Sequence, residues 1–402
     1  MQKRINTCLM INRLRRISLK KINKCDICLI LITLLFTAAV FAFHSTHQAD
    51  VSLYNSESLD YQKAKVIEVV SEEAQEDKNT KGRYYGVQSL YVEILSGELK
   101  GERFNTDNFL TTTHNVRLGT GDTFIACIDY PDGSDDLSVT VYNYYRTPYL
   151  YMGIGLLIIL VILIGKSKGI RTVLGLIFTF YAIIGLLLPM IFYGYSPILT
   201  TISIVIIVIG YSLFMLNGNS VKTWVATLST GAGVLISGLF FQLLTYFVHI
   251  SGFTESEAES LILVSQQTGL KISDILFAGI LISCVGAVMD VGMSISSSLY
   301  ELKVVNPDIT AKEIFQSGMN IGKDMIGTMC NTLILAFTGS SMSVLITYFA
   351  YQIQYHQLMS SDFIATEIVQ GIAGTIGIVA TVPIGALFSA YVYTKLKNNS
   401  FK

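Results

Sequence analysis

Eight runs of apolar residues, 17 to 26 residues long, order this 402-residue chain: 27–43, 149–165, 173–193, 197–216, 223–248, 275–297, 325–350 and 368–393. At a helical rise of 1.5 Å per residue, each run crosses about 30 Å of hydrocarbon, so each predicts a transmembrane helix. Between the first and second runs the period changes. AKVIEVV (64–70), SLYVEIL (89–95), TFIACID (123–129) and LSVTVYNY (137–144) alternate or run apolar at strand length. Turn residues separate them at Ser96-Gly97, Gly119-Thr120-Gly121 and Pro131-Asp132-Gly133. The expected fold is therefore an α-helical polytopic membrane protein of about eight transmembrane helices, with a small β domain between the first and second. Four or five short strands in ~100 residues fit an OB-like barrel or a sandwich. The polar stretch EEAQEDKNTKGR, 72–83, is expected to be a long hairpin loop.

Composition agrees with the pattern: 51% of residues are hydrophobic, 14% are charged and mean hydropathy is +0.53, outside the range of soluble domains. Charge then orients the helices. Residues 1–26 form a basic tail with Lys3, Arg4, Arg13, Arg15, Arg16, Lys20, Lys21 and Lys24, and are read as cytoplasmic. Residues 27–43 follow as a signal-anchor helix, with Val40-Phe41-Ala42 as the point at which cleavage would fall. Alternate loops carry Lys166, Lys168 and Arg171, then Lys222, then Lys303, Lys312 and Lys323, then Lys395, Lys397 and Lys402. The opposite loops, YGYSP, SGFTESEAES and QIQYHQLMSSD, have Lys271 as their one base. Both termini are thus expected in the cytoplasm, 44–147 outside it, and 148–402 as a seven-helix membrane domain. With 17 acids against 9 bases, the outer domain is a poor partner for nucleic acid or anionic head groups.

Two connecting segments carry helix-start signals. Thr310-x-x-Glu313 is a capping box after Asn306-Pro307-Asp308 and predicts a short helix on the inner membrane face. Thr254-x-x-Glu257 predicts another, ending near Gly269.

The candidate chemistry lies in two polar stripes. Ser283, Gly286, Asp290, Ser294, Ser297 and Glu301 recur at three- and four-residue spacing, so they share one helix face, while Leu281, Val285, Val288, Ile295 and Leu299 share the other. In the next run Asn320, Asp324, Thr328, Asn331 and Thr338 form a second stripe, interrupted by Leu335. Asp290 lies near mid-span, and Asn331 within about a turn of its depth. The expected arrangement is an interhelical seam in which Asp290 meets Thr328 and Asn331. Such a carboxyl group either fixes helix register or binds a cation or relays a proton during transport. Pro383 is expected to kink or break the last helix.

Enzyme readings lack their residues, and neither a cofactor nor a metal site is expected. An intramembrane aspartyl protease needs two carboxyl groups sharing a proton, whereas Asp324 sits at the span boundary and the residues before Asp290 are Ala287, Val288 and Met289. The five histidines fall outside the spans or at their outer boundary, and no Ser-His-Asp set or phosphate loop is present. Cys25 and Cys28 form a C-x-x-C with no second pair or nearby histidine, so neither a metal nor a redox role follows.

GAVMDVGMSISSSLYEL (286–302), NPD (306–308) and SGMNIGKDMIGTMCNTLILAF (317–337) in this order resemble the YibE/F-like family of bacterial integral membrane proteins. VEILSGELKG, YYRTPYL and LFAGILISCVGAVMD fit the same pattern. The resemblance implies a bacterial plasma membrane location and an extracytoplasmic N-terminal domain, with no substrate or reaction attached. Two functions are carried forward. One is a secondary permease or ion-coupled transporter of a small solute or cation, with a pathway along Asp290, Asn331, Thr328, Ser294, Asp324, Asn320 and Glu301. The other is a non-transporting sensor or scaffold whose outer β domain binds a ligand.

Overall fold

A computed structural model describes residues 24–46, 59–130, 137–250 and 272–395, with Ile262, Ser265 and Gln266 between the last two ranges. The C-x-x-C side chains, the Thr254-x-x-Glu257 signal and the Pro131-Asp132-Gly133 turn lie outside the described residues. The chain separates into two compact units: Ala49–Leu160, and the segments Met1–Gln48 and Val161–Lys402 together.

The first unit is built on β1 (Leu59–Glu76), β2 (Tyr84–Ile94), β3 (Arg103–Leu110), β4 (Thr123–Asp129) and β5 (Ser138–Tyr144). They form one antiparallel sheet in the order β3-β2-β1-β4-β5. β1 is long enough to pair with β4 along its first part and with β2 beyond, and register shifts between Val66 and Glu68 and between Val69 and Ser71 bend it. The sheet curls into a half-barrel, and the Thr106 hydroxyl of edge strand β3 donates to the Val139 carbonyl of edge strand β5 at 2.5 Å. Val66, Val92, Ile94, Phe124, Ala126 and Ile128 fill the interior by the alternation that β4 shows along its whole length.

The expected strands fall in β1, β2, β4 and β5. β3 was not among them because its inward positions are Phe104, Thr106, Asn108 and Leu110, which break the apolar alternation. Its buried amide is satisfied: Asn108 Nδ2 donates to Gln88 Oε1 at 3.1 Å and to the Val116 carbonyl at 2.7 Å. The expected loop 72–83 is shorter, since β1 continues to Glu76. Arg117 Nε donates to Glu72 at 2.7 Å and holds that carboxyl group below the usual carboxylate range.

The helices are α1 (Lys24–Thr46), α2 (Thr147–Ala182), a π turn (Ile183–Leu187) leading into α3 (Leu188–Phe192), α4 (Pro197–Asn217), α5 (Val221–Val248), α6 (Ile272–Val305), α7 (Ala311–Ser340), α8 (Met342–Ala350), α9 (Tyr355–Met359) and α10 (Asp362–Lys395). Among the described residues six helices are long and apolar enough to cross a membrane, or seven with α7 and α8, bent by 62°, taken as one span. Thr147–Phe192 counts once, although as a rod its 46 residues would reach roughly 70 Å. It is not a rod. Lys166 takes φ 49°, ψ −124°, and the chain there folds so tightly that a Cβ on Gly169 would overlap the Val161 carbonyl. Two of the eight expected runs lie on either side of this break, and the other six lie in α1, α4, α5, α6, α7 with α8, and α10.

Further along, Pro189 cannot donate to the Gly185 carbonyl four residues back, and the helix widens there into the π turn. His44 Nε2 of α1 donates to that carbonyl at 3.1 Å, while Leu29, Phe36 and Val40 bury against Phe178, Leu187 and their neighbours. α1 is thereby packed into the helical unit.

Two expected helix breaks do not occur. The capping box forms, with the Thr310 N–H donating to Glu313 Oε2 at 2.8 Å and the Glu313 N–H to Thr310 Oγ1 at 3.3 Å. The helix it opens is the start of α7, which runs without interruption to Ser340 rather than stopping at the membrane face. Gly318 and Gly322, which could have ended it, lie against Ala386 and Val382 of α10. Likewise α10 passes through Pro383 unbroken, losing the one hydrogen bond to the Val379 carbonyl on an exposed face.

Candidate functional site

α10 is wedged among α5, α6 and α7, and small residues make that possible. A Cβ on Gly233 of α5 would overlap Thr381 Oγ1, one on Gly292 of α6 would crowd Thr230 Oγ1, and one on Gly374 would lie 2.6 Å from Leu333 of α7. The hydroxyls buried in this contact include Thr223, Ser229, Thr230, Ser237, Ser296, Thr381 and Ser389. Ser237 Oγ donates to the Ala373 carbonyl at 2.8 Å, Ser296 Oγ to the Lys222 carbonyl at 2.7 Å, and the Tyr393 hydroxyl to the Ser296 carbonyl at 3.0 Å. This inner polar set carries no charge.

The charged stripe lies on the other side. Val285, Val288, Ile295 and Leu299 bury the apolar back of α6, while Ser283, Gly286 and Asp290 are exposed and Ser294 and Ser297 half-buried. On α7, Asn320, Asp324, Thr328, Asn331 and Thr338 are all exposed. Two contacts set the register between the antiparallel helices: Gly318 lies against Leu299, and Leu333 and Cys284 meet over Gly374. Both place Asp290 level with Gly327 and Thr328, and Asn331 about one turn away.

The expected hydrogen bonds from Thr328 and Asn331 to Asp290 do not form. Thr328 Oγ1 donates instead to the Met325 carbonyl at 3.0 Å, and among the described residues Asp290 has no hydrogen-bond or ion-pair partner. The seam between two helices is thus an open polar face beside them, because α10 occupies the inner surfaces of both. At its end Glu301 reaches Lys222 Nζ of α5 at 4.0 Å, with the lysine 5.5 Å from the centre of the Tyr300 ring. Chemically, the face offers a carboxyl group with free acceptors, flanked by amides and hydroxyls at one depth.

Two charged residues have places in the structure that the sequence reading did not assign them. Lys303, 6% exposed, donates to the Pro307 carbonyl at 2.5 Å and fixes the turn through Asn306-Pro307-Asp308. Glu367 precedes the apolar run that begins at 368, yet it sits in the second turn of α10, because Asp362 opens the helix earlier than hydropathy shows.

A family model described as YibE/F-like protein matches residues 153–395, more than half of the chain. The stretches VEILSGELKG and YYRTPYL lie before the matched region. Comparison with curated proteins and with solved structures finds no match.

Proposed function

The chain belongs to the YibE/F-like family, and from that premise we propose that it is a multi-pass protein of the bacterial plasma membrane, a non-enzymatic secondary permease or ion-coupled transporter of a small solute or cation. Both termini are cytoplasmic in this reading, α1 is retained as an anchor, and the sheet unit is an extracytoplasmic OB-like barrel. One observation carries the transport reading: Asp290 has no partner among the described residues and stands level with Thr328 on the accessible side of two apolar helices. Facing hydrocarbon, a charged carboxylate at mid-span costs on the order of several kcal/mol, so water or a solute on this face is the better environment. Asp290 takes the titrating or cation-binding role, Ser294, Thr328 and Asn331 supply donors and acceptors beside it, and Asn320, Asp324 and Glu301 extend the face toward the cytoplasm.

The test is reconstitution of the full chain in liposomes holding a pH-sensitive dye, with monovalent cation gradients imposed. A cation-dependent internal pH change that Asp290→Asn abolishes is expected. A flux that Asp290→Asn leaves intact contradicts the assignment.

A sensor reading has its own support in the sheet unit, where Tyr61 and Tyr142, 50% and 55% exposed, stack edge-on at 4.9 Å as a ready platform for a ligand ring. Deleting residues 50–140 separates the two readings, since a transporter keeps its flux and a sensor loses its response.

A further inference from the structure

Where the Ser341 end of α7 meets the Asp362 end of α10, a cavity of about 450 Å³ opens, walled also by α8 and α9. Phe337, Leu345, Leu358, Met359 and Ile368 give it an apolar lining, and Glu367 is the one ionisable side chain in that lining. The Oε2 atom of Glu367 is sealed from solvent and has no hydrogen-bond partner among the described residues. An unpaired carboxylate oxygen in such surroundings is costly until a proton reaches it or the side chain turns to meet a cation in the cavity that Glu367 lines.

The other polar atoms of the lining narrow the ligand. Thr338 Oγ1 donates to the Ile334 carbonyl at 2.8 Å, Ser341 Oγ to the Phe337 carbonyl at 3.0 Å, and Thr375 Oγ1 to the Gly371 carbonyl at 2.9 Å. Each hydroxyl proton is committed to its own helix, so none of the three is left as a donor to the cavity. The lining therefore has a negative charge but no free hydroxyl donor. An occupant must bring hydrogen-bond donors and positive charge, and the apolar walls require an apolar body behind them. A bare calcium or magnesium ion fails the second condition, because it needs six or more oxygen ligands and the walls are mostly carbon. The volume is that of a small-molecule pocket.

We propose that this cavity is a binding site for a small organic ammonium ion, a protonated amine with an apolar body, held by Glu367. It stands apart from the Asp290 face and does not depend on the transport reading. Contacts of Gly374 with Cys284 and of Gly385 with Ile295 put α10 and α6 in a parallel register in which Glu367 lies 13 residues from the level of Asp290, roughly 20 Å along the helix.

The test uses the purified full chain in nanodiscs and saturation-transfer NMR with two probes of matched shape, phenethylammonium and 2-phenylethanol. The wild type is expected to bind the ammonium at least tenfold more tightly than the alcohol. Glu367→Gln should erase that preference while leaving alcohol binding in place. Ile368→Trp, at a position 42% exposed, should block both probes by filling the cavity. Asp290→Asn should bind as the wild type does. Equal affinity for the two probes in the wild type, a preference that survives Glu367→Gln, or binding unaffected by Ile368→Trp would each overturn the proposal. So would displacement of the ammonium by sodium ions at equal concentration, which would make the site one for an inorganic cation.

Discussion

The two faces of α6 are both polar, and they are polar in different ways. Toward α5 and α10 it presents Gly292 and Ser296, whose neighbours are hydroxyls and backbone carbonyls, with the Ser296 bonds made inside the protein. On the open side it presents Asp290 and Ser294, with no partner for the carboxyl group among the described residues. The inner face uses small uncharged groups because helices must approach closely there, and most of their hydroxyls bond to the protein, with Thr230 and Ser389 left without a partner among the described residues. A charged group on the outer face is tolerable only if something other than this bundle solvates it. Polarity that locks a structure and polarity that awaits a ligand are separated by about half a helical turn.

Substitutions on the inner face should have the larger structural effect. Gly233→Leu is expected to prevent accumulation of folded protein, since even a Cβ at this position would overlap Thr381 Oγ1, and Gly233→Ala to destabilise by about 1–3 kcal/mol through overpacking. Melting of the detergent-solubilised chain reads both. A Gly233→Ala protein as stable as the wild type would show that α5 and α10 are not held at the spacing described. Next in size, Tyr393→Phe removes the hydroxyl that bonds Ser296 at the α6–α10 contact and should lower stability by about 1 kcal/mol. Smallest is Asp290→Asn, expected within about 0.5 kcal/mol of the wild type, because the carboxyl group has no bond to lose among the described residues. A large loss there would return Asp290 to a structural role.

Much of this organisation was legible in the sequence, and the gaps have physical causes. Helical spacing alone showed that Asp290 and Ser294 share a face opposite Ile295 and Leu299, because 3.6-residue periodicity is intrinsic to one helix. It could not show what covers that face, which depends on where α10 packs. Gly233, Gly292 and Gly374 allow the close approach, and a glycine by itself does not name its neighbour. In the sheet, β4 was readable from its strict alternation, whereas β3 was hidden by Thr106 and Asn108, inward residues whose partners come from β5 and β2. Glu367 escaped because hydropathy begins a span where apolar residues begin, while the helix begins at Asp362 and carries its carboxylate in with it. Thr310 and Glu313 formed their cap as expected, since that signal is local, yet the length of the helix behind it was set by contacts with α10.

The central claim is that the face bearing Asp290 and Asn331 is wetted. Its most direct test is thiol labelling of single-cysteine variants in a background with all six native cysteines replaced, reconstituted in liposomes. Ser294→Cys and Asn331→Cys are predicted to react with a membrane-impermeant maleimide, while Leu239→Cys, 69% exposed on an apolar stretch of α5, does not. If Ser294→Cys and Asn331→Cys stay as unreactive as Leu239→Cys, the face meets lipid or another protein surface rather than water, and the account is contradicted.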